Sequence, residues 1–384
     1  MQDCKKFGIC GGCQYLDQPY EHQLENKKAD VLDLLRARNI STGEFQGIVG
    51  SDRIYAYRNK MEYTFGDETK GGEMTLGMHR IRQFMSVVTI DECLLVDQDF
   101  NRVTSFTLEF FREREYPKYN KKTHQGFQRN LIIRKGERSG ELLVNIVTTS
   151  DGNLDRAAYI DGLLALDLKS AIVGILHTIN DSAADFVYSD RIETLYGRDY
   201  YMEEISGLKF KVSAFSFFQT NVPAVEKLYS TAMSFIDGLQ GATVFDLYSG
   251  TGTIAQIAAR QAKIAYGIEL VPEAVEAATA NARLNGLDNC RFLAGDVFEV
   301  LDAIEDKPDV IILDPPRSGV HPKALVKILN YRVKQIIYIS CNPKSMAENL
   351  ETMQGYGYKV EKLILFDNFP HTRHVEAAAG LRLE

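Results

Sequence analysis

Residues 242–270 read ATVFDLYSGTGTIAQIAARQAKIAYGIEL, and their pattern is the strongest indication of the fold class. An apolar run is followed by a glycine-rich turn, then by the helix-like TIAQIAARQA, and then by a second apolar run, AYGIEL. Strands that alternate with helices at this spacing are typical of βα units, whose crossovers build a parallel sheet. The stretch therefore predicts a doubly wound, Rossmann-like α/β domain.

The same alternation continues toward the C-terminus through PEAVEAATANARLNGL, CRFLAGDV, DVIILDPP, KALVKILN and QIIYISCNP. Upstream, residues 45–204 are rich in short strands, and RKGERSGE (134–141) is typical of a hairpin turn. A helix is expected over about residues 20–38, with Leu24, Val31, Leu32 and Leu35 on one stripe. We predict two parts. Residues 1–204 hold a cysteine-rich arm, this helix and a β-rich domain, and residues 205–384 hold the α/β domain, onto which the helix could pack.

Composition limits the functional classes. The 384 residues are 45% hydrophobic and 25% charged, as in soluble globular proteins. The net charge of -8 argues, taken alone, against a nucleic-acid partner, but residues 112–138 contain nine Lys or Arg and three Glu. This basic segment indicates either a solvated face or a phosphate-binding patch. No apolar run approaches the roughly 18 residues of a membrane span, and no signal sequence is evident, so we expect a cytoplasmic protein.

The glycine-rich turn indicates a nucleotide-like cofactor. Gly250 and Gly252 permit a tight turn at a helix start, and GTGTIA also satisfies the dinucleotide pattern, so an NAD-dependent reductase is a rival. Glu269 ends the second strand, where a carboxylate can accept hydrogen bonds from a ribose of NAD or of S-adenosylmethionine. Asp296 ends the third strand and could reach an adenine edge or cap a helix.

Two later motifs favour a methyltransferase over a reductase. Asp314 and two prolines follow the fourth strand in ILDPPRSGV, as in many methyltransferases that act on planar bases. In IIYISCNPKS (336–345) an apolar strand places Cys341 at its tip, before Pro343. A free cysteine is often a small buried hydrophobic residue, so this position alone does not establish catalysis.

Taken together, DLYSGTGTIA, ILDPPRSGV, YISCNPKS and FPHTRHVE, with FSFFQTN before them, resemble the S-adenosylmethionine-dependent RNA uracil-C5 methyltransferases. The resemblance implies that Cys341, its pKa lowered by the local field, adds to uracil C6, and that Glu376 removes the C5 proton. His371 and His374 are alternative bases, and H-x-x-H-x-E is a weak metal motif. Ser249, where relatives often have cysteine, and the tail AAAGLRLE depart from the family pattern.

The resemblance also implies a set of ligand contacts. Asp314 should face both the cofactor and the uracil N3–H. Phe218 either stacks on a base or packs in the core, and Arg317 either steadies enolate charge or serves a surface or phosphate role. The target base must be flipped out to reach the thiol. The resemblance places Gln219, Tyr248, Thr253, Glu269 and Asp314 at the S-adenosylmethionine site, and the strand-end position of Asp296 adds that residue to the expected site.

The remaining cysteines indicate an iron–sulfur or metal site. Cys4, Cys10 and Cys13 form C-x5-C-x2-C, and Cys93 is a plausible fourth ligand for zinc or a [4Fe–4S] cluster. Without an export signal, disulfides are improbable, and unliganded thiols remain the simplest alternative. Resemblance to the ribosomal-RNA branch of the family implies the [4Fe–4S] cluster, which would pin an arm too short to fold alone.

The choice of RNA rests on the same resemblance. Many ribosomal-RNA members begin with a small barrel, for which the position of Cys4 leaves no room, whereas the transfer-RNA branch generally lacks the cysteines. We expect 23S ribosomal RNA, with tRNA as the alternative substrate and no obligatory protein partner. A non-catalytic RNA-binding protein on the same fold is a further rival.

Overall fold

The computed structural model describes residues 4–184, 186–189 and 191–384. The α-helices are α1 Tyr20–Ala37, α2 Gln98–Glu113, α3 Arg156–Leu164, α4 Val222–Ser234, α5 Thr253–Ala259, α6 Pro272–Leu284, α7 Val297–Val300, α8 Pro322–Asn330 and α9 Pro343–Gly355, with a 3-10 turn at Leu301–Ala303. The strands are β1 Glu44–Val49, β2 Lys60–Asp67, β3 Met74–Arg80, β4 Gln83–Thr89, β5 Gln128–Lys135, β6 Glu141–Thr148, β7 Ala171–Ile179, β8 Ile192–Gly197, β9 Tyr200–Ile205, β10 Leu208–Ser213, β11 Thr243–Leu247, β12 Ile264–Glu269, β13 Cys290–Ala294, β14 Val310–Leu313, β15 Gln335–Ser340, β16 Tyr358–Phe366 and β17 Glu376–Leu383. No helix in these ranges is long and apolar enough to cross a bilayer.

The chain divides into two units, and the division differs from the expected split at residue 205. The first unit contains the chain up to Asp17, Arg53–Glu204 and Lys211–Ser216. The second contains Gln18–Asp52, Ile205–Phe210 and Phe217–Glu384. Residues 18–52 belong to the second unit because Val31 and Leu35 of α1 lie in its core and β1 pairs with β16. Placing all of residues 1–204 in one domain was therefore wrong, although packing of the first helix on the C-terminal domain was foreseen.

The second unit is built on a doubly wound sheet. Among the described residues its strand order is β1-β16-β17-β15-β14-β11-β12-β13. Strands β11 to β15 pair in parallel, whereas β17 runs antiparallel to both β15 and β16. The residues of β11, β14 and β15 are all buried, as expected for strands in a covered parallel sheet. The order reverses at β11, which pairs with both β12 and β14, and ligands bind at such switch points.

The first unit contains a mostly antiparallel sheet. Its strand order is β4-β3-β2-β5-β6-β7-β8, and β6 with β7 is a parallel pair within it. The predicted hairpin is confirmed, because Lys135 of β5 pairs with Leu142 of β6. Helices α2 and α3 were not predicted. Helix α2 begins at an Asp97 cap and buries Phe100 and Phe111, so its apolar residues follow a helical period rather than alternation.

Much of the basic segment 112–138 serves the fold of the first unit. Arg134 is buried and donates to the carbonyl oxygens of Ala214 and Ser216, at 2.7 and 2.6 Å. Arg129 is also buried and donates to the Asn180 carbonyl at 2.8 Å. Lys118 pairs with Asp67. For these three cations the phosphate-patch interpretation is wrong, since a buried guanidinium is retained by the hydrogen bonds it makes.

Candidate active site

The carboxyl ends of the central parallel strands bring four predicted residues to one edge of the sheet. Leu247 of β11 pairs with Ile268 of β12 and with Leu313 of β14, and Leu313 pairs with Tyr338 of β15. The residues at or just beyond the ends of these strands are Tyr248, Glu269, Asp314 and Cys341. In an open α/β sheet this edge is where ligands bind.

The register of the antiparallel strand β17 brings Glu376 to the same edge. Ser340, the last residue of β15, pairs with Ala377 of β17. Because the two strands are antiparallel, Cys341 after Ser340 lies opposite Glu376 before Ala377. Glu376 also pairs with Phe366 at the end of β16, which fixes it from the other side. Thus a thiol and a carboxyl group from distant segments lie side by side.

The thiol of Cys341 is not activated in the way the sequence suggested. Burial raises its pKa to about 11, and the nearby charges of Glu376 and Asp314 raise it further, while Arg317 opposes them. The expected lowering of the pKa by the local field is therefore wrong. Two carboxylates and a low-dielectric site disfavour the thiolate more than one exposed arginine favours it.

The two carboxyl groups beside the thiol have pKa values near neutrality. Burial raises the pKa of Asp314 to about 7. Burial, together with the charge of Asp314, raises the pKa of Glu376 to about 8, and Arg317 opposes this shift. Groups that titrate near the working pH can both accept and release protons, which suits general acid–base chemistry.

The glycine-rich turn after β11 is folded around the carboxylate of Glu269. Its two oxygens accept the backbone N–H groups of Gly250 and Val271, each at 3.0 Å. Gly252 has a φ of 75° and precedes α5, and a Cβ there would lie 2.5 Å from the ring of Phe292. Tyr248 has a φ of 68°, an unusual backbone conformation for a residue with a bulky side chain. The turn is therefore held by backbone hydrogen bonds to Glu269, and at Gly252 it leaves no room for a side chain.

Two further predicted residues, Thr253 and Asp296, lie near this turn. Thr253 starts α5, and Asp246 beneath it accepts the Ala255 N–H at 2.8 Å. Asp296 accepts the Phe298 N–H at 2.7 Å, so its helix-capping role is confirmed. Its charge also acts on Tyr248, whose pKa is raised to about 12, first by burial and then by Asp296. Asp296 therefore caps a helix and still borders the turn.

Two aromatic residues of this unit were missed. Tyr229 of α4 is buried, and its hydroxyl accepts a hydrogen bond from Gln219 Nε2 at 2.9 Å. Its pKa is raised by burial and then by the charge of Asp314, which places it near that carboxyl group. Phe218 is buried against Phe210, so its core interpretation is confirmed, whereas Phe217 beside it is 72% exposed and is the better stacking candidate.

The histidines of FPHTRHVE do not form a metal site. His371 is buried, its Nδ1 lies 3.1 Å from Gln23 Nε2, and its backbone N–H donates to Gln23 Oε1 at 2.9 Å. Within residues 4–184, 186–189 and 191–384, no three His, Cys, Asp or Glu side chains are arranged to hold a metal ion. The metal interpretation of His371, His374 and Glu376 is therefore wrong.

The four N-terminal cysteines are partly buried and carry no disulfide. Burial raises the pKa of Cys13 to about 12, with smaller contributions from the charges of Cys93, Cys10 and Cys4. Burial likewise raises the pKa of Cys93 to about 11, and Cys10 and Cys4 add to that shift. The thiols are thus close enough to interact, but among the described residues they do not form a single-ion site.

The doubly wound sheet, the glycine-rich turn and the acidic edge define an α/β methyltransferase. A family model described as tRNA (Uracil-5-)-methyltransferase matches residues 191–384. The chain belongs to this family and is an S-adenosylmethionine-dependent RNA (uracil-C5)-methyltransferase. The nicotinamide-dependent and non-catalytic interpretations are therefore set aside.

Similar proteins cover almost the whole chain. An uncharacterized RNA methyltransferase of Clostridium tetani is 51% identical over 381 residues, which are 99% of this chain and 83% of the relative. One from Bacteroides thetaiotaomicron is 38% identical and covers 99% of this chain and 87% of its own length. The crystal structure of Pyrococcus abyssi tRNA (uracil-54, C5)-methyltransferase in complex with S-adenosyl-L-homocysteine superposes with a TM-score of 0.81 at 27% identity. The superposition covers 97% of this chain and 86% of the Pyrococcus abyssi chain.

Proposed function

We propose that the protein methylates C5 of a uridine in RNA through a covalent bond between Cys341 Sγ and C6 of the base. The observation that carries the proposal is the strand register that sets Cys341 opposite Glu376, with Asp314 at the end of the neighbouring strand. A thiol nucleophile and a base of suitable pKa then flank one position at the ligand-binding edge.

The order of steps follows from the chemistry of uracil. Addition of the Cys341 thiolate to C6 turns the ring into an enolate with charge at C5, which makes C5 a competent methyl acceptor. When bound, S-adenosylmethionine would supply the methyl group and leave as neutral S-adenosylhomocysteine, and its sulfonium charge would favour the ionised forms of nearby acidic groups. Glu376 then takes the C5 proton, the C5–H electron pair re-forms the C5–C6 double bond, and the C6–S bond breaks to release the thiolate.

The thiol must lose its proton before it can add to C6. Because the pKa of Cys341 is about 11, few thiols are ionised near neutral pH, and a carboxylate beside the thiol is needed to accept the proton. Asp314 and Glu376 are the carboxyl groups whose charges act on Cys341 most strongly. The positive charge of Arg317 favours both the thiolate and the later enolate.

The proposed cofactor residues fit a ribose-bearing ligand. The Glu269 carboxylate is oriented by two backbone N–H groups, and it retains lone pairs that can accept from ribose hydroxyls. Around it we place Tyr248, Thr253 and Asp296, with Gln219 held by Tyr229. Asp314 is assigned to the border between the cofactor and the uracil N3–H.

We favour 23S ribosomal RNA as the substrate on the basis of the cysteines. The position of Cys4 near the start of the sequence is no argument for either RNA, because the Clostridium tetani relative is longer than this chain. A tRNA substrate is the second candidate. It is supported by the similarity over 97% of the chain to the Pyrococcus abyssi protein, whose name specifies a tRNA uracil.

We further propose that Cys4, Cys10, Cys13 and Cys93 hold a [4Fe–4S] cluster, which would fix the arm in place. The mutual influence of the four thiols supports this, since a four-iron cluster separates its thiolates more widely than one ion does. Iron and acid-labile sulfide should be measured on protein purified without oxygen, with Cys13→Ser beside wild type. Wild-type protein without either element would contradict the cluster.

The decisive test uses RNA that contains 5-fluorouridine. Fluorine at C5 cannot leave as a proton, so the enzyme should be trapped as a denaturation-resistant adduct. Transcripts of 23S rRNA and of tRNA are offered separately with S-adenosylmethionine, to wild type, to Cys341→Ala and to the control Cys290→Ala. An adduct with one RNA that is lost only in Cys341→Ala supports both the nucleophile and that substrate. No adduct with either RNA, from protein that binds the cofactor, would refute the mechanism.

A further inference from the structure

The helix α1 buries polar side chains that the reaction described above does not use. Gln23 and Lys27 are 0% and 1% exposed, and they continue the stripe of Val31 and Leu35 along one face of the helix. Burying an ammonium group and an amide is costly unless each is hydrogen-bonded. Their hydrogen-bond partners therefore indicate which segment this end of the helix stabilises.

Gln23 Nε2 donates to the Gln18 carbonyl at 3.0 Å, just before α1, and both side chains also bind the connection 367–375, between β16 and β17. Lys27 Nζ is 2.6 Å from Asp367 Oδ1, with both side chains buried, and it donates to the Phe369 carbonyl at 3.3 Å. The Gln23 side chain accepts from the His371 N–H at 2.9 Å and contacts its ring nitrogen at 3.1 Å. His371 has a φ of 66°, so these contacts hold a backbone conformation that most residues avoid.

This connection ends at Glu376. Asp367 follows Phe366 directly, and Phe366 pairs with Glu376, so the strand pair fixes both ends of the connection. Outside α1, Asn221 Nδ2 donates to the Asn368 carbonyl at 2.9 Å, and the Asp367 N–H donates to the Val49 carbonyl of β1 at 2.9 Å. The nine residues therefore form a short loop that α1 and the start of α4 contact at four of its first five positions.

We propose that Gln23 and Lys27 are positioning residues for Glu376: they hold the connection 367–375 in one conformation and so keep the carboxylate beside Cys341. The inference rests on the proposed function, in which Glu376 removes the C5 proton. Proton transfer requires hydrogen-bond reach, and a displacement of about 1 Å can cost roughly 100-fold in rate. The step that suffers most is the last one, because only there is Glu376 the sole assigned base, whereas Asp314 can also accept the thiol proton before addition.

The slowed step gives a readout that a purely structural role would not produce. Ordinary uridine RNA and methyl-labelled S-adenosylmethionine are mixed with wild type, Lys27→Met, Gln23→Met and Glu376→Gln. The matched control is Lys28→Met, because Lys28 neighbours Lys27 on α1 but pairs with Glu25 at 2.5 Å. Samples are denatured at intervals, and labelled protein–RNA adduct and released product are counted.

We expect Lys27→Met and Gln23→Met to accumulate labelled adduct on ordinary uridine, as Glu376→Gln does. Product release should fall about 100-fold in Lys27→Met and about tenfold in Gln23→Met, while Lys28→Met matches wild type. Gln23→Met leaves no unpaired charge, so it carries the test if Lys27→Met does not fold, and cofactor binding verifies the fold. The inference is overturned if adduct and product decline together in these two variants. It is also overturned if both stay at the wild-type level.

The two proposals fail in distinguishable ways. If wild type forms no Cys341-dependent adduct even with 5-fluorouridine RNA, the proposed function itself fails. If wild type forms that adduct, but neither α1 variant accumulates adduct on ordinary uridine, only the positioning role of Gln23 and Lys27 is wrong.

Discussion

The two halves of the sheet edge treat their carboxyl groups differently. At the ends of β12 and β13, Glu269 and Asp296 accept backbone N–H groups at 2.7 to 3.0 Å. At the ends of β14 and β15 and the start of β17, Asp314 and Glu376 lie near a thiol, with pKa values raised to about 7 and 8. The first half holds carboxylates in place for a ligand, and the second keeps them able to exchange protons.

The largest expected effect comes from removing the base in the second half. Glu376→Gln keeps the size of the side chain but cannot accept the C5 proton, so turnover should fall by roughly 10²- to 10⁴-fold. Product formed in multiple turnovers is measured beside adduct formed on ordinary uridine. We expect product to be lost and adduct to accumulate. Loss of the adduct as well would place Glu376 at the thiol addition step instead.

A substitution in the first half should change binding and not chemistry. Glu269→Gln removes the charge that receives the Gly250 and Val271 N–H groups and is available to a ribose. Loss of charge-assisted hydrogen bonds should weaken S-adenosylmethionine binding roughly 10- to 100-fold, with kcat at saturation nearly unchanged. Calorimetry on Glu269→Gln and on the exposed control Glu273→Gln checks this. A large fall in kcat at wild-type affinity would remove the distinction between the two halves.

The raised pKa of Glu376 also predicts a cost to stability. The folded protein retains this proton up to about pH 8, whereas the unfolded chain releases it near the ordinary pKa of 4.5. Because the folded state binds more protons in that window, stability falls as pH rises through it. Glu376→Gln lacks this loss and should be more stable than wild type by roughly 5 kcal/mol near pH 9, at about 1.4 kcal/mol for each pKa unit, but not near pH 5.

Thermal or urea unfolding of wild type, Glu376→Gln and Glu299→Gln at both pH values measures the effect. Glu299 is exposed and serves as the control. An equal difference at the two pH values would mean that Glu376 is not protonated in the folded enzyme, and that the two halves of the edge hold their carboxylates alike.

The sequence motifs predicted the edge well because each one marks the end of a strand. Asp314 and Cys341 directly follow runs that become β14 and β15, and alternation of strands and helices is a local pattern. The surroundings of these residues were not predictable in the same way. The pKa of Cys341 depends on burial and on Glu376, which arrives through the long-range pairing of β15 with β17.

The contacts of α1 show the same limit. Gln23 and Lys27 look like solvent-facing residues of an amphipathic helix, so Leu24 and Leu32 were assigned to the buried stripe in their place. Both leucines are only partly buried. The reason lies more than 300 positions away in the chain, where Asp367 and His371 supply the polar partners. The local periodicity of a helix cannot predict a hydrogen-bond partner that is so far away in the sequence.

The smallest predicted effect decides to which half of the edge Tyr229 belongs. Its hydroxyl accepts from Gln219, a proposed cofactor residue, while its pKa responds to Asp314 and Glu376. If it serves only to hold Gln219, Tyr229→Phe loses one hydrogen bond worth about 1 kcal/mol, and KM for S-adenosylmethionine rises a few-fold. The pH dependence of kcat then stays as in wild type. A shifted pH profile at unchanged KM would instead assign the hydroxyl to the proton-exchanging half, because only there does its removal alter the field on Glu376.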